Sequence, residues 1–243
     1  MNKNKLSVVM PAYNNADISL NLKEAIKALE KVTKEYELIL VDDGSPNKLF
    51  FEAKKIDCDR VKVVGYSKNQ GKGHAIKYGC GFAKGDYVTF LDSGRDINPE
   101  QIKRFIEIME KEEADIVIGS KKHKDSKLHY PAMRRFMSFV YQIVNRILFN
   151  LNVKDTQVGL KLFKGEVIKK IMPLIVVKRF AFDLELLVIA TKYKYKIVEA
   201  PVTIKYKFSS TVNPKAVFWM LWDTAAIFYR DKILNQYSKE RKK

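Results

Sequence analysis

The chain has 243 residues, 47% of them hydrophobic, which is enough for one large or two small domains around a sizeable core and too apolar for a disordered segment. Two cysteines, Cys58 and Cys80, are too few for a disulfide framework and point to a reducing compartment. The net charge of +17 lies in one half: residues 1–120 carry 19 basic and 19 acidic side chains, whereas residues 121–243 carry 26 and 9. Such a face suits nucleic acid, anionic lipid or a phosphorylated substrate, with solubility alone as the plain alternative.

Met1 to Lys5 run directly into the strand-like Leu6–Met10, so no signal peptide is expected. Ile18 to Lys34 carries Leu22, Ile26 and Leu29 at helical spacing. Leu38–Val41 and Val61–Gly65 read as strands, Gly73 to Ala83 as a helix and Tyr87–Leu91 as a strand. Pro99–Lys111 reads as a helix with Ile102, Phe105, Ile106 and Met109 inward, and Ile116–Gly119 as a further strand. Short apolar strands alternating with helices imply a doubly wound α/β sheet, mostly parallel, whose ligands bind beyond the carboxyl ends of the strands. Polar residues cluster at those ends: Tyr13 and Asn14 after the first strand, Asp42 and Asp43 after the second, and Asp92 after "VTFL". One acidic residue there would be a turn residue; acids converging from several strand ends point to a cation or a polar ligand.

The second half has a different texture. Met133 to Leu151 is rich in large apolar residues with Arg134, Arg135 and Arg146 interspersed, and Ala216 to Tyr229 is mostly apolar but interrupted by Asp223. Neither reaches the roughly 20 apolar residues of a membrane span. Both suit helices lying in a membrane interface, or else a core or dimer helix. The final "SKERKK" is a basic tail suited to anionic headgroups. His74, His123 and His129 are scattered and accompany no cysteine cluster, so no zinc site is expected. No nucleic-acid recognition motif accompanies the charge, so no nucleic-acid partner is expected.

"VVMPAYNNA", "LVDDGSPN", "NQGKGHAIKYG", "FLDSGRDINPE", "DIVIGSK", "DTQVGLKLF", "FAFDLELL" and "EAPVTIKY" follow one another in the order seen in family 2 glycosyltransferases. The chain resembles most the polyprenyl-phosphate sugar synthases of that family, which load glucose or mannose onto dolichyl phosphate. The resemblance covers roughly residues 5 to 210. It implies a GT-A catalytic domain over residues 1–210, with a nucleotide-sugar half (1–120) and an acceptor half (121–210), followed by an amphipathic, basic segment over 211–243. It implies an inverting transfer of a hexose from a nucleotide-sugar, UDP-glucose before GDP-mannose, to a polyprenyl phosphate. The enzyme would sit peripherally on the cytoplasmic side of a membrane with an anionic surface, with a homodimer through either apolar helix left open. A transferase using a glycan hydroxyl as acceptor is the alternative.

Carried onto this sequence, the resemblance puts Pro11, Ala12, Tyr13 and Asn14 at the nucleoside, has Asp42 or Asp43 accept from the base, and sets Lys72 of "GKG" beside the donor phosphates. Glycines let such a loop approach the donor closely, although "GxxxxGK[ST]" is absent and this is no P-loop. The family's Asp-x-Asp, which holds a divalent ion on the diphosphate, reads Asp92-Ser93-Gly94-Arg95-Asp96 here, with Gly94 in place of the second acid. Mg²⁺ needs only one or two carboxylates besides substrate phosphate, so Asp92 and Asp96 would hold Mg²⁺ or Mn²⁺, and Arg95 would neutralise the diphosphate directly; a weak or metal-independent site, and a chain that binds the donor without turnover, are the alternatives. The acceptor phosphate would meet Lys121 or Lys122, Arg134 or Arg135, and Lys207, where solvent exposure is the alternative for each lysine. Gln157 of "DTQVG" would donate to the sugar. Asp183 would hold the donor sugar, or act as general base if the acceptor were a hydroxyl. Glu185 is either a helix-surface charge or a participant.

Overall fold

The structure is a computed structural model that describes residues 4–56, 58–94, 96–128, 132–179, 181–204 and 214–238, with the side chains of 127–128, 132–137 and 214–216 outside the description. The elements follow in order as β1 (Leu6–Ala12), α1 (Ile18–Val32), β2 (Tyr36–Asp43), α2 (Leu49–Lys54), β3 (Val61–Tyr66), α3 (Lys72–Cys80), β4 (Tyr87–Phe90), α4 (Ile102–Lys111) and β5 (Ile116–Ser120). The second half adds β6 (Lys127–Leu128), α5 (Ala132–Phe149), β7 (Lys161–Lys164), α6 (Gly165–Ile171), α7 (Phe182–Lys192), β8 (Ile197–Pro201), β9 (Thr203–Ile204) and α8 (Pro214–Phe228).

Seven strands form one sheet in the order β3-β2-β1-β4-β7-β5-β8. All pairings are parallel except those of β7, which runs antiparallel between β4 and β5. The expected α/β architecture with a mostly parallel sheet is therefore what the chain adopts. β1 runs out one way to β2 and β3, and the chain then returns to β4 on the other side of β1. That reversal opens a crevice beyond the carboxyl ends of β1 and β4, where doubly wound folds hold their ligands.

The period of two along each strand sorts the core into two layers. Val9, Ile39, Val41, Val88, Phe90, Ile116, Ile118 and Phe163 face the side covered by α3 and α7. Leu6, Val8, Met10, Leu38, Leu40, Tyr87, Val117 and Leu162 face the side covered by α1 and α4. Burial on both faces explains why these strands read as unbroken apolar runs. Gly79 of α3 packs so closely on the sheet that a Cβ there would lie 2.5 Å from the Val9 side chain.

Three expectations need correction. β2 continues to Asp43, so Asp42 and Asp43 are the last residues of that strand and not part of the turn after it. α3 ends at Cys80, not Ala83. Glu185 is not a surface charge: it is fully buried, because α7 is enclosed on every side.

Candidate active site

At the end of β1, Pro11 and Ala12 lead into an exposed Tyr13 and into Asn14, whose φ of 49° is left-handed. The Asn14 amide donates to Ser45 Oγ (2.9 Å), which ties this turn to the one after β2. Beyond β4 lies Asp92. The loop behind it is held from the turn before α1 and from α1 itself: Asn15 Nδ2 (3.0 Å) and Asn21 Nδ2 (2.8 Å) both donate to the Ser93 carbonyl.

Asp42 and Asp43 are both buried, and their partners differ. Asp42 Oδ1 accepts from the Ser45 amide at 3.0 Å and braces the turn. Asp43 accepts from the Tyr66 hydroxyl (2.7 Å), Asn69 Nδ2 (2.9 Å) and the amides of Gln70 (2.8 Å) and Gly71 (2.9 Å). Burial, then the hydrogen bond to Asp43, holds the Tyr66 phenol well above its usual range. Asp43 is thus the staple of the loop that delivers Lys72. The loop also rests on the chain near α7: a Cβ on Gly71, at φ 100°, would lie 2.7 Å from the Lys178 carbonyl, and one on Gly73 would lie 2.6 Å from Phe182 Cβ. Both glycines are required by that approach.

These elements form a cleft of about 520 Å³ lined by Pro11, Tyr13, Asp43, Lys72, Asp92 and Asp96 among others, with Arg179 also lining it. Arg179 was not among the expected residues; its guanidinium lies 4.7 Å over the Trp219 ring. Within the cleft Lys72 Nζ lies 2.5 Å from Asp92 Oδ1. Burial would lower the Lys72 ammonium, but the charges of Asp92 and Asp183 outweigh it and hold the group above its usual range.

A second cavity of about 230 Å³ adjoins the first, and the two share Asp92, Gly94 and Asp96. Ile97, Lys121, Gln157, Val158, Gly159 and Ile204 complete it. A Cβ on Gly159 would stand 2.5 Å from Asp92 Oδ2, so this loop abuts the carboxylate directly. Partial burial, then the Asp92 charge, raises the Asp96 carboxyl above its usual range, as befits an acidic pair suited to a cation. A Cβ on Gly94 would meet only Asp96 Oδ2, at 3.8 Å, so no packing demands a glycine there. Among the described residues no group of three or more His, Cys, Asp or Glu is placed to hold a metal. Asp92 and Asp96 line both cavities, and two carboxylates suit a hard cation that keeps waters and takes its remaining ligands from a phosphate.

The expected acceptor residues separate. Lys121 lines the second cavity, its side chain largely enclosed, with its amide bonded to the buried Asp155 (3.1 Å) and its ammonium 3.7 Å from the same carboxylate. Lys122 is exposed, with its ammonium 4.9 Å over the Phe139 ring, and it lines neither cavity. Gln157 lines the second cavity, but its Nε2 contacts Met220 Sδ at 3.0 Å. Arg95 and Lys207, and the side chains of Arg134 and Arg135, lie outside the described residues.

Asp183, at the start of α7, is paired with Lys161, a residue sequence reasoning passed over. Lys161 is 1% exposed, and its ammonium donates to Asp183 Oδ1 (2.7 Å) and to the Val158 carbonyl (2.6 Å). It thereby fixes both the carboxylate and the loop that abuts Asp92. Glu185 fastens the chain elsewhere: it accepts from the amides of Val176 (2.9 Å) and Val177 (2.7 Å), from Arg230 (3.1 Å) and from the Tyr237 hydroxyl. That set docks the segment after α8 onto the core and leaves Glu185 no part in the cleft.

Comparison with known proteins gives a consistent likeness. The family model for glycosyl transferase family 2 matches residues 7–172. A dolichyl-phosphate beta-glucosyltransferase of Dictyostelium discoideum is 32% identical over 86% of this chain and 69% of its own length. Proteins of the same name from Saccharomyces cerevisiae and Homo sapiens are 29% and 32% identical, each over 82% of this chain and 66% of their own length. The chain thus spans about two thirds of the length of these relatives. Among solved structures, glucosyl-3-phosphoglycerate synthase from Mycobacterium tuberculosis with Mg²⁺ and UDP superposes with a TM-score of 0.69 at 19% identity, covering 93% of this chain and 78% of that one. The same enzyme with Mn²⁺, UDP and glucosyl-3-phosphoglycerate gives 0.66 at 18%, covering 93% and 79%. At such identities the likeness speaks for the fold.

Proposed function

The chain belongs to glycosyl transferase family 2, and from that premise we propose that it transfers glucose from UDP-glucose to a polyprenyl phosphate such as dolichyl phosphate, with inversion, at a membrane surface. The observation that carries the reading is the joined pair of cavities meeting at Asp92, Gly94 and Asp96. The larger is rimmed by the strand-end residues of a nucleotide-sugar site, and the smaller holds Lys121 as a cation for an anionic acceptor. The names of the three relatives support glucose and dolichyl phosphate.

In this reading Pro11, Ala12, Tyr13 and Asn14 line the nucleoside side of the larger cleft. Asp43, its carboxylate taken by its own loop, acts on the donor through the position it gives Lys72. Asp92 and Asp96 would hold Mg²⁺ or Mn²⁺, the ions bound in the mycobacterial structures, which when present stabilises charge developing on the departing diphosphate. Arg95 would add to that neutralisation. Asp183, held by Lys161 and near enough for its charge to act on Lys72, would hold the donor sugar. A phosphate monoester is already anionic near neutral pH, so the acceptor needs position and charge complement more than a strong base. Lys121 supplies these, with Arg134, Arg135 and Lys207 as further cations of the acceptor half.

Membrane contact is assigned to the exposed apolar faces of α5 and α8, with Phe139, Ile143 and Ile147 on the one and Phe218, Leu221 and Trp222 on the other. Among the described residues no helix is long and apolar enough to cross a membrane. Aromatic and aliphatic bulk beside basic residues suits the interface, and a second copy of the chain is the competing occupant. Cys58 and Cys80 are free thiols, which fits the cytoplasmic side.

The test offers labelled UDP-glucose and GDP-mannose in parallel with dolichyl phosphate and a divalent cation. Label from UDP-glucose should pass into the organic phase. Label confined to water-soluble product would overturn the lipid acceptor in favour of a glycan hydroxyl, and loss of turnover in Asp183→Asn with donor binding intact would then assign that residue as general base.

A further inference from the structure

Asp92 is asked to do two things that exclude each other. As a cation ligand it must offer its carboxylate, yet Lys72 already occupies that carboxylate at 2.5 Å. We propose that in the empty enzyme Lys72 and a divalent cation compete for Asp92, and that a nucleoside diphosphate resolves the competition by drawing the Lys72 ammonium onto its phosphates. Cation and diphosphate then each bind weakly alone and tightly together. The inference rests on the reading of Asp92 and Asp96 as cation ligands.

The ion pair is built to be exchanged. Its side chains are 32% and 49% exposed, the setting in which such pairs contribute little to stability. The backbone of Lys72 is fixed, because Gly71 before it is bound to Asp43 and wedged against Lys178, so the long side chain alone has freedom to swing. Lys72 and Asp92 line the same cleft, so both ends of the swing lie where the diphosphate would sit. Gly94 makes the competition matter. Among the described residues the ion is offered two carboxylates, one of them paired with Lys72, so it takes Asp96 and whatever Lys72 releases. The contrasting pair, Lys161 with Asp183, is 1% and 14% exposed and has a second acceptor in the Val158 carbonyl, so it has no such freedom.

Mn²⁺ binding, read from the electron paramagnetic resonance signal of the free ion, tests this on the full chain without turnover. Wild type, Lys72→Met and Lys72→Arg are compared with and without UDP, after thermal melts show that each is folded. Without UDP, Lys72→Met should bind Mn²⁺ about threefold tighter or more, the size expected from releasing a half-exposed pair, while Lys72→Arg stays near wild type. UDP should tighten Mn²⁺ binding on wild type by about tenfold or more and on Lys72→Met by clearly less. Equal Mn²⁺ affinity of wild type and Lys72→Met without UDP, with UDP tightening both alike, overturns the exchange while the cation site stands. No Mn²⁺ binding by wild type even with UDP overturns the cation site as well.

Discussion

Two lysine–carboxylate pairs of this molecule, Lys72 with Asp92 and Lys161 with Asp183, are placed in opposite ways. On the β1–β4 side, where neighbouring strands run parallel, Asp92 projects from a strand end into an open crevice and meets a lysine that solvent also reaches. At β7, the reversed strand of the sheet, Lys161 meets Asp183 with side chains only 1% and 14% exposed. The difference teaches which charges can move. A partly exposed pair rearranges at small cost when a ligand arrives, whereas a buried pair is stable only as a pair, since removing one member strands the other in a medium of low dielectric.

The contrast breaks most visibly in activity and stability taken together. Asp92→Asn should cut glucosyl transfer by about 10²–10³-fold, the scale seen when a group stabilising transition-state charge is lost, with the melting temperature little changed. Lys161→Met should do the reverse in emphasis: it strands Asp183 and the Val158 carbonyl, and denaturant unfolding should register a loss of about 3–5 kcal/mol. Lys72→Met, measured the same way, should cost no more than about 1 kcal/mol. Equal losses for the two lysines would erase the distinction.

Finer substitutions sharpen it. Gly159→Ala places a Cβ 2.5 Å from Asp92 Oδ2, and a half-exposed carboxylate yields by moving. Transfer should fall by about tenfold or more through misplacement, with stability nearly preserved; an unfolded or fully active variant would refute that reading of the contact. Gly94→Asp restores an acidic pair two residues apart in a place with room for it, so stability should hold within about 0.5 kcal/mol while Mn²⁺ binds more tightly.

The smallest effect concerns His74, beside the loop that carries Lys72. Burial, then the neighbouring Lys178 and Lys77 charges, depress its imidazole below the usual histidine range despite Asp43. A depressed folded value means that the unfolded chain binds the proton first. This contribution is therefore complete above the ordinary histidine pKa and is lost as pH falls through that value toward the folded one. The urea midpoint should drop between pH 7.5 and 5.5, and His74→Gln should flatten that part of the curve.

Much of the parallel side was legible because its signals are local. An apolar run that ends in an acid, as at Phe90-Leu91-Asp92, carries both strand and site in a few residues. The stapling role of Asp43 was not, because it depends on four donors brought up by a loop more than 20 residues away. Lys161 escaped notice for a similar reason. β7 is four residues long with lysine at both ends, so neither its reversal nor the burial of its first residue shows in the pattern. What encloses Lys161 is Asp183, 22 positions on. Glu185 had a signal that was passed over: "FDLELLVIA" is apolar all round, and a helix with no polar face is buried on every side, charges included.

Transfer of glucose to a lipid phosphate with a cation on Asp92 and Asp96 is best tested with labelled UDP-glucose and dolichyl phosphate in the presence of Mn²⁺, against the same mixture with EDTA. Organic-extractable label that forms with Mn²⁺ and disappears with EDTA is the predicted result. Label that forms equally in both would contradict the cation's place at the shared wall of the two cavities, and no extractable label in either would contradict the transfer itself.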